Sequence, residues 1–259
     1  MQHGSPAGSP TQTVHRVVQI LKAFDGHHTL GITELAARTN VPRSSVHRIV
    51  RALVDEQLLT QDADSRRYEL SLGLAEFGTG ILRSNTVRTA SRPTVLETRT
   101  RTHESVHLGV LDHLDVVIID TADSHYFVRE VTFPGQRLPA HAVSTGKVLL
   151  AHQTSAWQRQ HLGSERLPAF TAHTVVDPER LLAELHQVRA QGYAISLGEL
   201  EDGVAGVAAP VFARGWVIAA AVSVGAPMAR FTQHREELIA AVCDAGQAAT
   251  AALRRMSWP

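Results

Sequence analysis

Residues 32–72, ITELAARTNVPRSSVHRIVRALVDEQLLTQDADSRRYELSL, decide how the first part of the chain folds. Ile32 to Arg38 reads as a short helix and Asn40-Val41-Pro42 as a turn. Arg43 to Asp55 reads as a second helix, with Val46, Ile49, Val50 and Leu53 at the spacing of one buried face. Upstream, Val14, Val17, Val18, Leu21 and Phe24 repeat with a helical period, and Asp25-Gly26 closes that helix. Downstream, Leu58-Leu59-Thr60 and Arg67-Tyr68-Glu69-Leu70 read as strands joined by the turn-rich Gln61 to Arg66. Three helices and a hairpin predict a winged helix-turn-helix. In that architecture the second helix of the pair enters the major groove of DNA, so the residues opposite its apolar face are candidate readers. They are Arg43, Ser44, Ser45, His47, Arg48 and Arg51. Arginine can pair bidentately with guanine O6 and N7, and serine can bond a base edge or a phosphate oxygen. Arg66 and Arg67, at the hairpin tip, stand where a wing reaches the adjacent minor groove or backbone.

A length of 259 residues favours two domains. With 25 basic and 25 acidic residues the net charge is zero, so contact with DNA must come from a local cluster, and a histone-like binder is excluded. No run approaches the ~18 apolar residues of a membrane span, and MQHGSPAGSPTQ at the start has neither a basic nor an apolar stretch. A cytoplasmic protein without membrane contact is expected, with residues 1–12 a disordered tail. The single cysteine, Cys243, excludes an internal disulfide and a zinc-finger set.

Ser71 to Arg83 is helix-periodic through Leu72, Leu74, Ala75, Phe77 and Leu82, and it leads into a polar, Arg/Thr-rich connector from Asn85 to Thr102. Strand patterns follow at Val106 to Leu111 and Val116 to Ile119, and later at Val204 to Phe212 and Trp216 to Val224. Glu179 to Gln191 is the best helix between them, with Asp177 able to cap it, Pro178 in the first turn and Gly192 at its end. A last helix runs from about His234 to Arg255. The expected division is a tail to residue 12, a winged domain over 13–70, a linker helix over 71–84 and a second domain over 85–259.

Within that second domain, a helix starting near Ser144 would leave the amides of Thr145, Gly146 and Lys147 free, a site suited to a carboxylate. A plain helix cap is the competing reading. Phe127, on the strand-like run Tyr126 to Val131, would supply an aromatic wall. Ser144-Thr145-Gly146-Lys147 fits S-x-x-K, but no S-D-N or K-T-G follows. Gly146-Lys147-Val148 lacks the Ser/Thr of a P-loop, and His141 stands where its first glycine belongs. His103 and His107 straddle a change from helix to strand, which denies a metal one shared face. No catalytic set, metal site or cofactor is therefore expected. An enzyme with an accessory helix-turn-helix and a metal sensor using His141 and its neighbours are the alternatives.

Ile32 to Leu72 closely resembles the DNA-binding half of the IclR family of transcriptional regulators, whose helix-turn-helix typically reads LA-x-x-x-x-[LV]-x-[KR]-[ST]-[ST]-[VA]-[HY]-R. Arg137 to Lys147 and Gly203 to Val211 look like the two signature segments of that family's effector-binding domain. The resemblance runs from Thr13 to about Arg254. It implies an α+β chain in which an N-terminal winged helix-turn-helix is joined by a linker helix to a GAF-like α/β effector domain. A small-molecule effector would control binding of a homodimer, or a dimer of dimers, to a near-palindromic operator. The implied effector site comprises Phe127, His141, Ser144, Thr145, Gly146, Ser196, Gly206 and Ser223, and suits a small organic or aromatic acid. Two positions depart from the family pattern: Gly206 stands where a cysteine is common, and Ser196 near a usual acidic residue. Both line the pocket in family members, so ligand choice is where this chain should differ.

Overall fold

The computed structural model describes residues 10–163 and 165–256 and divides into two compact units, residues 1–81 and 82–259. Among the described residues, no helix is long and apolar enough to cross a membrane.

The first unit contains α1 (Pro10–Lys22), α2 (Ile32–Thr39) and α3 (Arg43–Asp55), followed by an antiparallel hairpin of β1 (Leu59–Gln61) and β2 (Tyr68–Leu70). Its core joins Ile20 and Phe24 of the first helical segment to Leu35, Val46, Ile49, Val50, Leu53, Leu59 and Tyr68. Residues 10–12 belong to α1 and not to the expected tail; proline suits a first helical turn, where its missing N–H has no partner to lose. The rest of that expected tail, residues 1–9, lies outside the described residues. Between α2 and α3, Asn40 adopts the left-handed conformation, φ 53°, which asparagine tolerates better than most residues. The Pro42 carbonyl then accepts from the amides of Ser45 and Val46 and starts α3. Leu30 and Tyr68 exchange backbone hydrogen bonds of 2.9 Å, fixing the hairpin to the loop before α2.

Helix α4 (Gly73–Ser84) has no buried residue, and the division between the units falls within it. The Arg/Thr-rich connector is a 17-residue helix, α5 (Thr86–Thr102), capped by the Asn85 side chain. Its buried face carries Val87, Ala90, Ser91, Thr94, Val95 and Thr98. The hydroxyls of Thr98 and Thr102 donate to the carbonyls one turn back at 2.8 Å. Threonines that satisfy themselves along the helix can be buried, and with Ser91, whose buried Oγ has no partner, they deprive this helix of the apolar periodicity that reveals the others.

The second unit is built on a six-stranded sheet of β3 (Ser105–Asp112), β4 (Asp115–Ala122), β5 (Arg137–Pro139), β6 (Ala194–Leu197), β7 (Val204–Phe212) and β8 (Ile218–Pro227), in the order β5-β4-β3-β8-β7-β6. Every pair is antiparallel. One face packs Leu108, Val207, Val222 and Val224 with Val95 of α5 and with Val242, Ala249 and Leu253 of α10 (Arg235–Arg255). The other packs Val116, Ile118, Ala208 and Ala221 with α6 (Ser144–Ala151) and α8 (Pro178–Gln191). Helices α7 (Ser155–Leu162) and α9 (Met228–Gln233) complete the unit. As expected, Asp177 caps α8 and Gly192 ends it at φ 83°. Tyr126 to Val131 is not a strand but part of a loop between β4 and β5, because β5 itself pairs along β4.

Helix α6 lies against the short turn Ala140–Ala142, and a Cβ on Gly146 would stand 2.1 Å from the Ala140 carbonyl oxygen. Gly146→Ala should therefore destabilise the second unit by about 1–3 kcal/mol through overpacking. Thermal unfolding checks this: a melting temperature equal to that of the wild type means that the helix can move away without loss.

Candidate DNA-contact face and effector cavity

The apolar face of α3 is buried, which turns the opposite face outward. Arg43, Ser44, His47, Arg48 and Arg51 are exposed and Ser45 is half-buried. Among the described residues, no carboxylate pairs with Arg43, Arg48, Arg51 or Arg66, so these four guanidiniums are uncommitted. Arg66 sits exposed at the hairpin tip with φ 55°, after a turn in which the Asp62 carboxylate accepts from the Ser65 amide and hydroxyl. Arg67 differs from the expectation of a wing contact. It donates to the Thr29 hydroxyl and carbonyl at 2.9 and 3.0 Å and pairs with Glu34 at 2.7 Å. The same Glu34 carboxylate accepts from the Gly31 amide at the start of α2, and that bond leads the causes that hold its pKa below the usual range. Arg67 thus clamps the hairpin to α2. Its side chain is held there by Thr29 and Glu34, next to the backbone bridge between Leu30 and Tyr68.

The second unit holds a cavity of about 350 Å³ between the start of α6, the sheet and the loop after β4. Its floor follows from strand register. Ser196 of β6, Gly206 of β7, Gly225 of β8 and Ser105 of β3 are successive cross-strand partners in one row. On the same face, the adjacent row sets Ser223 opposite His107. Ser196 Oγ accepts from the Ser144 amide at 3.2 Å, satisfying one of the first-turn donors of α6. A Cβ on Gly206 would stand 3.0 Å from Ser144 Oγ, so the missing side chain leaves room for that hydroxyl. Thr145 and Ser223 also line the cavity, with Ile118, Leu138 and Val204 as aliphatic walls. No Phe, Tyr or Trp side chain lines it among the described residues.

Beneath α6, Lys147 is 1% exposed, and its ammonium donates to Glu184 and to Glu199, each at 2.6 Å. Burial pushes the Glu199 carboxyl up, against the opposing pull of Lys147. Glu199 also lines the cavity, and its buried Oε2 has no hydrogen-bond partner.

Five of the eight expected effector residues line this cavity: Ser144, Thr145, Ser196, Gly206 and Ser223. Three do not. Phe127 is 96% exposed on the loop and is no wall of the cavity. His141 is buried off the cavity, with its Nε2 at 2.9 Å from the Pro168 carbonyl and its ring 5.8 Å from that of Phe170; burial lowers its pKa and favours the neutral ring. Gly146 faces Ala140. Among the described residues, no three His, Cys, Asp or Glu side chains gather as a metal site, around His141 or elsewhere. Sequence reasoning missed Glu130 and the ion-pairing role of the Lys147 side chain, and met His107 only as half of a discarded metal pair. Glu130 lies in the strand-like run Tyr126 to Val131, which carries no signal of its place at the cavity, and the partners of Lys147 lie 37 and 52 residues away.

A winged DNA-contact face and a ligand-sized cavity in separate units define a ligand-responsive regulator. Residues 13–63 match the IclR helix-turn-helix domain and residues 79–251 the bacterial transcriptional regulator IclR C-terminal domain. The chain belongs to the IclR family and is a DNA-binding transcriptional regulator, not an enzyme. It is 32% identical over 248 residues to the HTH-type transcriptional regulator KdgR of Escherichia coli K12, covering 95% of this chain and 94% of that one. It is also 32% identical to the glycerol operon regulatory protein of Streptomyces coelicolor over 92% of this chain and 94% of the relative. Among solved structures, an IclR homologue from Microbacterium hydrocarbonoxydans complexed with 4-hydroxybenzoate superposes with a TM-score of 0.82 at 27% identity, over 94% of this chain and 100% of that one.

The two hairpin arginines should separate experimentally. Arg66→Ala should lower operator affinity and reduce the log–log salt slope by about 1 without changing the melting temperature. Arg67→Ala should instead lower the melting temperature of the winged unit. Reversal of these two signatures contradicts the division of roles.

Proposed function

We propose that α3 reads the operator through Arg43, Ser44, Ser45, His47, Arg48 and Arg51, with Arg66 on the adjacent backbone or minor groove. The observation that carries this reading is the uncommitted state of the three α3 guanidiniums on one exposed face. A paired arginine must break its ion pair before it can serve a base, and these need not. Residues 13–70 form the DNA-binding domain, 71–84 the linker helix and 85–259 the effector-binding domain. The protein acts in the cytoplasm as a homodimer or a dimer of dimers. Exposed Leu72 and Phe77, on and beside a helix with no buried residue, supply apolar surface for such pairing.

The effector is a small organic acid. Its carboxylate lies at the start of α6, where the Thr145 amide and the hydroxyls of Ser144 and Ser223 provide donors and the helix end favours negative charge. The homologue from M. hydrocarbonoxydans, with 4-hydroxybenzoate bound, supports an acid of that size. Operator affinity follows effector occupancy by linkage, and a coupling of ~1–3 kcal/mol gives a 5- to 150-fold response.

Arg48→Ala should weaken operator binding by about 1–3 kcal/mol, with a smaller loss on unrelated DNA. Equal losses on both would reduce Arg48 to a phosphate contact, and wild-type binding to a promoter fragment without salt dependence would remove the interface altogether. The effector reading is tested by operator release against a panel of organic acids.

A further inference from the structure

Part of the cavity floor is covered by a carboxylate from the chain itself. Ser105 Oγ donates to the backbone carbonyl of Glu130 at 2.8 Å and anchors that residue beside the cavity. The Glu130 side chain then folds over Gly225, the strand partner of Ser105. A Cβ on Gly225 would stand 1.2 Å from Glu130 Oε2, so the carboxylate uses the volume that the glycine leaves open.

This carboxylate is poorly satisfied. Its side-chain partners are His107 Nε2 at 3.3 Å and Thr132 Oγ1 at 3.5 Å, both long for hydrogen bonds, whereas an ionised carboxylate has about four acceptor sites. The nearby buried ammonium of Lys147 is held by Glu184 and Glu199. Glu199, whose buried Oε2 has no hydrogen-bond partner, is another lining residue of the cavity. Glu130 is thus a lining carboxylate with acceptor capacity left for a hydrogen-bond donor.

We propose that Glu130 is the specificity-determining acceptor of the cavity: it reads a hydroxyl of the effector seated over Gly225 and rejects a carboxylate there. The proposal rests on the reading above that the effector's acid group lies at the start of α6. Ser144 at that start stands over Gly206, one strand from Gly225, and neighbouring strands are about 4.8 Å apart. One small molecule can thus meet both ends. A hydroxyl brings the proton that Glu130 lacks, whereas a second carboxylate brings only lone pairs and like charge. The ligand class is a hydroxy acid and not a diacid.

Two matched pairs of probes test this on the full-length chain by calorimetry: 4-hydroxybenzoate against terephthalate, and gluconate against glucarate. In the first pair the ring hydroxyl is replaced by a carboxylate, and in the second the terminal hydroxymethyl is replaced by a carboxylate on the same six-carbon chain. The wild type should bind the hydroxyl-ended member of at least one pair about tenfold or more tighter than its diacid, a difference of about 1.4 kcal/mol. Glu130→Gln, isosteric and neutral, should abolish most of that preference, and so should Gly225→Ala, whose Cβ needs the space of the carboxylate. If Gly225→Ala does not fold, Glu130→Gln decides. A diacid bound as tightly as its hydroxy acid by the wild type, or an unchanged ratio in Glu130→Gln, overturns the role of Glu130 and leaves the acid site at α6 standing. Failure of all four probes to bind overturns both.

Discussion

A helix can approach a sheet only as closely as the side chains between them allow, and in the second unit the approach of α6 is set by what is missing there. A Cβ on Gly109 would stand 2.4 Å from Val116 and 2.9 Å from the Thr145 methyl, and one on Gly206 would press on Ser144 Oγ. On its other side the helix meets the Ala140 backbone at Gly146. With these three positions bare, the first turn of α6 comes down far enough for Ser196 to accept its first amide. Cavity, anion-favouring helix end and floor are therefore products of one close contact. Larger side chains along the row would raise the helix and fill the space together.

The same approach explains the buried lysine. Once α6 lies on the sheet, Lys147 cannot reach water, and its ammonium is tolerable only because two carboxylates arrive from α8 and from the segment after β6. Removing one member of such a group generally costs about 3–5 kcal/mol, because the remaining charge stays buried. The result holds the cavity wall in place and leaves one Glu199 oxygen without a partner. Charge that fixes the fold here also colours the site.

In the winged unit the decisive matter is where each guanidinium is committed. Arg67 completes a clamp among Thr29, Glu34 and the hairpin, whereas Arg43, Arg48, Arg51 and Arg66 carry no acidic partner among the described residues. Neighbours in sequence thus have opposite tasks. Thr29 and Glu34 hold Arg67 against the loop before α2, whereas Arg66, at φ 55°, stays exposed at the tip.

By itself the sequence determined the winged helix-turn-helix, because its apolar positions follow helical and strand periods without interruption and its turn carries Asn40 and Pro42 at the required places. It also determined where α8 starts, since the Asp177 cap and Pro178 in the first turn act locally. Tertiary structure alone decided α5, whose buried serine and threonine face has no apolar contrast to read, and the loop fate of Tyr126 to Val131, which depended on β5 taking the edge of β4. It likewise decided that Phe127 points to solvent, that His141 is spent on Pro168, and that Glu130 lies over Gly225. Register and close approach join residues as far apart as Ser105, Glu130 and Gly225, and neither leaves a periodic trace along the chain.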